Sequence, residues 1–313
     1  MNTCLNCGGV ISETAYRFML RDRRKGLPGS WQLVECNSCG VIFMLSMPTE
    51  EQLTLYYSAY SNNQKVNYSR GIGSRYPSFR KLFHRLSGDA DPRDFVEIPN
   101  GGRILDYGCG QAEYLSDYHS RGVKISGAEM NSDVVKACQE VGYDVHKVND
   151  LSSIPFADKT FDVVYLMQVF EHLRDPQVFM GELSRVTKMG GALYLAVPNS
   201  ASIWRKIFST NWVSGWFAPF HLFHYNSEAL TSMAAKHGFV ATKIWRNTPE
   251  SWFRLNLKAF FYPNDNRLDH HSCWLDSRII RPFIIVALRL IELPVRQRDC
   301  LIIKFMKCEC NGR

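Results

Sequence analysis

The chain has 313 residues, 45% of them hydrophobic and 21% charged, with a formal net charge of +7. That composition supports a packed core and excludes an intrinsically disordered chain, and the length admits one large domain or a medium domain joined to a small one. The basic excess is compatible with nucleic acid, an anionic membrane surface or phosphorylated substrates and selects none of them.

The opening residues, Met1-Asn2-Thr3-Cys4, lack the basic region and apolar run of a secretory signal. A reducing, cytoplasmic setting is therefore expected, where the ten cysteines bind metal or stay free rather than form disulfides. No apolar run reaches the roughly 20 residues that span a bilayer.

Residues 1–47 form the first stretch. Cys4-x-x-Cys7 and Cys36-x-x-Cys39 are separated by 28 residues, and each pair is followed by a glycine, Gly8 or Gly40. Two thiolates on a tight turn grip one side of a tetrahedral Zn²⁺ and a second turn completes the shell. Glycine there lets the backbone amides turn toward the sulfurs. The spacing predicts a structural zinc ribbon held by Cys4, Cys7, Cys36 and Cys39, with no open position for catalysis. Arg17, Arg21, Arg23, Arg24 and Lys25 make a basic cluster that either tracks phosphates or forms a solvated loop, and Asp22 interrupts it.

Residues 48–100 read as a helical linker or cap. Thr49 is placed to N-cap a helix with Gln52 at its third position. Leu53, Tyr56, Tyr57 and Tyr60 then fall on one face at helical spacing.

From Gly101 to Arg313, short apolar runs alternate with helical ones, as in a parallel α/β sheet. Strands are expected at Arg103–Tyr107, Lys124–Ala128, Phe161–Met167, Ala192–Val197, Phe239–Trp245 and Cys300–Met306. Helices are expected at Asp133–Val141, Pro176–Thr187 and Ser227–His237. The first strand runs into a turn with Gly108 and Gly110 and then into a helix. Such a turn lets the backbone approach a ligand closely and sets free amides behind it. Glu129 ends the next strand 19 residues after Gly110, where a carboxylate accepts both ribose hydroxyls. Asn149-Asp150 precedes the Phe161 strand, where an acceptor meets an adenine amino group.

Four blocks, LDYGCGQAEYL, GAEMN, NDLSSIPFADKTFDVVYLMQVFEHLRDP and VTKMGGALYLAVPN, lie in order over roughly residues 100–245. Together they resemble the class I S-adenosylmethionine-dependent methyltransferases. The resemblance implies a Rossmann-like, mostly parallel seven-stranded sheet with helices on both faces, set behind the small N-terminal zinc ribbon. It implies that Asp106 steadies the turn near the methionine amino group and that Gly108 and Gly110 line the methionine and ribose. Glu129 would bind the ribose, Asp150 with Leu151 would meet adenine, and Gln168 would line the cleft. Ala112 stands where many members carry glycine, which argues for a slightly wider turn. The nicotinamide fingerprint needs a third glycine where this chain has Glu113, and the methyltransferase blocks fit better.

Methyl transfer from a sulfonium needs alignment and sometimes a proton acceptor. The candidate bases are His172, which follows the fourth strand, and His221 and His224, which follow the fifth. Two insertions, at 200–226 and 255–298, lie on the acceptor side. The first holds Trp204, Phe208, Trp212, Trp216, Phe217, Phe220, Phe223 and Tyr225, either as a platform for a sugar or apolar acceptor or as ordinary packing. The second contains RIIRPFIIVALRLIEL at 278–293, an apolar helix with a narrow stripe of Arg278, Arg281, Arg289 and Glu292. It reads as a lid or core helix, a dimer contact, or a shallow helix on a membrane surface.

The ribbon ahead of this core resembles zinc-knuckle methyltransferases of bacterial sugar and surface-polysaccharide pathways. The leading expectation is methyl transfer to a small-molecule or glycan acceptor, including a lipid-linked sugar, by a cytoplasmic enzyme peripheral to the membrane. The alternatives are an RNA methyltransferase, in which the basic ribbon binds nucleic acid, and a non-catalytic module that keeps the fold.

Overall fold

The computed structural model describes residues 3–61, 92–110, 123–140, 142–148 and 153–308. In chain order, β1 (Arg17–Leu20), β2 (Trp31–Glu35) and β3 (Ile42–Met44) form an antiparallel meander. Helix α1 (Glu50–Ser61) follows. Its start is the expected capping box: Gln52 N–H donates to Thr49 Oγ1 at 3.2 Å, and Thr49 N–H donates to Gln52 Oε1 at 2.9 Å. The side chain of Tyr60 lies outside the described residues.

The main sheet begins with β4 (Arg103–Tyr107) and β5 (Lys124–Glu129). Helix α2 (Ser132–Glu140), β6 (Val145–Lys147) and β7 (Phe161–Met167) come next. Asp175 then caps α3 (Pro176–Val186) by accepting from Val178 N–H, and β8 (Thr187–Pro198) follows. Two short helices, α4 (Ile203–Phe208) and α5 (Val213–Trp216), lead to β9 (Phe223–His224). Helix α6 (Ser227–Lys236), β10 (Phe239–Asn247), α7 (Glu250–Phe261), α8 (Ile280–Glu292) and β11 (Cys300–Lys307) complete the chain.

Seven strands form one sheet in the order β10-β11-β8-β7-β4-β5-β6. The pairs among β4 to β8 are parallel, and β11 runs antiparallel to both β8 and β10. The expected Rossmann-like sheet is therefore present. Its central strands read as near-continuous apolar runs because both faces are covered. Neighbours along a strand point to opposite faces: Leu105, Val164 and Leu193 join one buried cluster, and Ile104, Val163 and Tyr194 join the other. Strand β6 escaped the sequence reading because Val-His-Lys is too short and polar to show an apolar run.

The N-terminal ribbon is not set apart from this body. Strand β3 pairs antiparallel with β9, Ile42 opposite His224 and Phe43 opposite Phe223. The acceptor-side chain thus supplies the fourth strand of the ribbon sheet.

Two expectations about charge need correction. Of the basic cluster, Arg23, Arg24 and Lys25 face protein, while Arg17 and Arg21 are exposed. Arg23 donates to the carbonyls of Ala259, Tyr262 and Asp265. Arg24 and Lys25 share Asp269, each at 3.1 Å, and Arg24 lies 3.9 Å over the Phe217 ring. Asp22, which looks like an interruption in sequence, accepts from the backbone amides of Arg24, Lys25 and Leu27. Arg23, Arg24 and Lys25 thus clamp the ribbon to the second insertion and are engaged there, which leaves Arg17 and Arg21 as the exposed part of the cluster.

The second correction concerns α8. Pro282 sits in its first turn, where a missing N–H is harmless. The polar stripe is turned inward: Glu292 is fully buried. It accepts from Trp204 Nε1 at 2.8 Å and Arg289 Nη1 at 2.7 Å, and also from Thr248 Oγ1. The apolar face points out, with Phe283 70% and Leu290 62% exposed. Only Leu288 and Glu292 of this helix are buried, so it is not a core helix.

Candidate active site

The carboxyl ends of β4, β5 and β7 meet at one edge of the sheet, the place where open α/β sheets bind ligands. At the end of β4, Gly108 and Gly110 adopt φ of +79° and +53°. Only glycine takes this left-handed region without strain. Space also requires glycine at 108, because a Cβ there would sit 2.4 Å from Val169 Cγ2. The Gly108 and Cys109 amides donate to Ala128 O at 2.8 and 3.2 Å, which ties the turn to the end of β5. The helix expected behind Gly110, with Ala112 and Glu113, lies outside the described residues, as do Asp150 and Leu151.

Glu129 stands beside this turn. Its Oε2 accepts from Gly110 N–H at 3.0 Å, and its Oε1 accepts from the amides of Met130 and Asn131 at 2.8 and 2.9 Å. Behind the turn, Asp106 is fully buried, with Arg93 Nε 3.6 Å from its Oδ2. Nothing in the sequence around Arg93 pointed to this partner, because it comes from a separate short helical turn, Pro92–Phe95.

Gln168 follows β7 directly. Its φ is +59°, a strained conformation for a non-glycine residue that costs on the order of 1 kcal/mol. The strain is held by its amide, which donates to Ala196 O at 2.8 Å. It re-aims the chain so that the next turn, Phe170–His172, faces the acceptor-side insertion.

There the structure brings two of the three expected histidines together around an acid the sequence reading did not single out. Glu171, His172 and His221 each place one ligand atom within 4.8 Å of the others. Glu171 is fully buried and neither carboxyl oxygen has a hydrogen-bond partner. Burial pushes its carboxyl up to about 8, so it is protonated at neutral pH. His221 Nε2 lies 3.8 Å from Glu171 Oε1. His221 Nδ1 faces Gly215 O at 2.7 Å, and His172 Nδ1 faces Phe220 O at 3.0 Å. A carbonyl only accepts, so on this assignment both Nδ1 atoms carry the proton and both Nε2 atoms carry a lone pair. Tyr57 of α1 also reaches His172, with its hydroxyl 3.1 Å from Nδ1. Burial pulls the His172 imidazole down to about 4 and that of His221 well below its usual range. Both rings are therefore neutral near pH 7. The only sequence signal for Glu171 was its place beside His172.

His224 lies behind this group, its ring centroid 6.2 Å from that of His221. It belongs to β9, is fully buried against the Trp216 ring, and burial pulls it down to about 3. The aromatic residues around it are also interior: Trp204, Trp212, Trp216, Phe220, Phe223 and Tyr225 are all buried. For them the packing reading holds, and no exposed stacking platform forms.

The four ribbon cysteines converge. Cys4 Sγ is 3.7 Å from Cys39 Sγ, and Cys7 Sγ is 3.8 Å from Cys36 Sγ. Zinc–sulfur bonds of about 2.3 Å in a tetrahedron require sulfurs about 3.8 Å apart. Gly8 and Gly40 take φ of +75° and +68°, and each donates its amide at 2.8 Å to the carbonyl of the first cysteine in its pair. The hydrogen bond from Cys4 holds the Cys39 thiol down at about 4 and drives that of Cys4 far up. Four such thiols ionise together only around a cation, so the donor set fits zinc.

A family profile described as a methyltransferase domain matches residues 74–244. The chain belongs to the methyltransferase family. The methyltransferase is 30% identical over 194 residues to 2-methyl-6-phytyl-1,4-hydroquinone methyltransferase of Synechocystis sp., a match that covers 52% of this chain and 60% of that protein. It is 30% identical over 109 residues to a ubiquinone biosynthesis O-methyltransferase of Xanthomonas oryzae pv. oryzae, which covers 32% and 44%. The matched segment thus spans less than two thirds of the length of these curated relatives. Among solved structures, geranyl diphosphate C-methyltransferase from Streptomyces coelicolor A3(2), in complex with Mg²⁺, geranyl diphosphate and S-adenosyl-L-homocysteine, shares the fold. Its TM-score is 0.52 at 14% identity, with 83% of this chain and 99% of that one covered.

Proposed function

We propose that this methyltransferase uses S-adenosylmethionine to methylate a hydroxyl of a small-molecule acceptor, with a glycan or lipid-linked sugar as the finer reading. The observation that carries the cofactor half is the Glu129 carboxylate bonded to Gly110 N–H across the ends of β4 and β5. That pairing sets a diol acceptor against a glycine turn, as a nucleoside ligand needs. Asp106 supports the turn, Gln168 lines the slot, and Asp150 with Leu151 complete the adenine end by the family resemblance. When bound, the cofactor supplies an electrophilic methyl group. The acceptor half rests on relatives named as a hydroquinone methyltransferase and a ubiquinone biosynthesis O-methyltransferase. Cys4, Cys7, Cys36 and Cys39 hold a structural zinc.

In this reading, His172 Nε2 takes the proton of the acceptor hydroxyl as the new bond forms, because its Nδ1–H is anchored on Phe220 O. Protonated Glu171 faces His221 Nε2 and adds no charge to the site. His224 is a packing residue and has no part in the transfer.

The test is calorimetric titration of S-adenosylhomocysteine into the full chain and into Gly108→Ala. Micromolar binding to the wild type is expected, with loss in the variant, whose new methyl would meet Val169. Absence of binding to folded wild-type protein sinks the reading. Labelled methyl transfer to a prenylated hydroquinone, compared with a lipid-linked sugar, then separates the acceptor classes.

A further inference from the structure

Helix α8 presents the reverse of an ordinary surface helix. Ile279, Phe283, Val286, Leu290 and Leu293 recur at spacings of four and three, and all five are exposed. The row extends over about 21 Å at 1.5 Å per residue. The Trp274–Asp276 turn packs against the helix, and the exposed rings of Trp274 and Phe261 have centroids 5.9 Å apart. Scattered apolar residues on a surface are normal, but an ordered stripe is not.

The charges around this face have one sign. From 273 to 299 every carboxylate is turned away: Asp276 is paired with Arg254 and Lys258, and Glu292 and Asp299 are fully buried. Arg278 and Arg296 are exposed at the two ends of the helix. Arg289 and Arg281 hold the helix down by reaching Thr248 O and Glu250 at 2.7 and 2.8 Å. An apolar stripe with a tryptophan at its side and arginines at its ends complements a layer of lipid phosphates over acyl chains. A second copy fits less well. A two-fold contact through α8 in antiparallel register sets the Arg278 end of one helix beside the Arg296 end of the other, with no exposed acid to offset them.

We propose that α8 and the Phe261–Trp274 edge dock this protein on the surface of an anionic bilayer, with the helix lying in the plane of the headgroups. The attachment is one-sided: among the described residues, no helix is long and apolar enough to cross a membrane. Glu292 joins α8 to Trp204 of the acceptor-side insertion, so the docked face and that insertion are one packed unit. The docking does not depend on which acceptor is methylated.

Flotation of the full-chain protein with phosphatidylcholine vesicles, and with vesicles that also contain phosphatidylglycerol, tests this. Binding to the anionic vesicles is expected, weaker to the neutral ones and weakened by salt. The double variant Phe283→Glu/Leu290→Glu should lose at least about tenfold in partitioning, and Arg278→Ser/Arg296→Ser should lose the preference for anionic lipid. All four positions are exposed, so melting and S-adenosylhomocysteine binding should not change, which separates lost docking from lost folding. No flotation with anionic vesicles overturns the proposal. So does wild-type-like binding by the Phe283→Glu/Leu290→Glu variant. A dimer in sedimentation equilibrium that Phe283→Glu abolishes, without vesicle binding, assigns the face to a second copy instead.

Discussion

Replacing Glu129 separates a ribose acceptor from a residue that only shapes the turn. A carboxylate has about four acceptor sites, and three are taken by the amides of Gly110, Met130 and Asn131. A ribose diol needs two. Binding therefore opens the Gly110 bond, the only one of the three that reaches across from the neighbouring strand, while the Met130 and Asn131 bonds hold the carboxylate in place. The diol makes two charge-assisted bonds and one is released, a net gain of one. That is about 1.5–3 kcal/mol, or about 10- to 150-fold in Kd for Glu129→Ala. Glu129→Gln keeps the shape but sets an NH₂ against amide donors, so its loss should be comparable. The decisive assay is calorimetry with S-adenosylhomocysteine and its deoxyribose analogue. Wild type should discriminate between the two, and Glu129→Ala should not. Equal discrimination by wild type and Glu129→Ala refutes the ribose assignment even if overall affinity falls.

Metal analysis of protein purified without chelator should find about one zinc per chain, and none in Cys36→Ser. Because β3 pairs with β9, stripping the metal should lower the melting temperature of the whole body, and an unchanged melt would refute the zinc role. Glu292→Ala leaves Arg289 and Trp204 without their buried partner and should cost about 3–5 kcal/mol, read by denaturant unfolding. His172→Ala should lower kcat by about a hundredfold or more with little effect on cofactor Kd; an unchanged kcat removes it as base. The pH dependence of stability carries a further sign. Asp299 is raised from 3.8 to about 7 by burial. Its contribution is complete below about pH 4, falls as pH climbs to about 7 and is flat above. Both of its hydrogen bonds, from Ser202 Oγ and Trp212 Nε1, fall on Oδ1, so Asp299→Asn keeps them. That variant should lose this slope and be the more stable form above pH 7.

Strand and turn chemistry was legible because it is local. Arg103–Tyr107 and Phe161–Met167 match their strands to the residue, since a run buried on both faces declares itself. The cysteine knuckles declare themselves by spacing. What escaped the sequence depends on which face an element turns to its neighbours. Arg23 and Arg24 look like a phosphate-binding run and instead clamp the carbonyls and carboxylate of a segment more than 230 residues away. Glu171 looks like the companion of a motif histidine. It becomes the buried partner of His221 only because the chain after β8 returns through β9 to the ribbon. Helix α8 shows the limit most directly. Periodicity located its polar stripe, but periodicity is blind to which side faces the protein. The answer lay in Thr248 and Trp204, two partners on other elements that draw Glu292 inward and leave the apolar side to face whatever the surroundings supply.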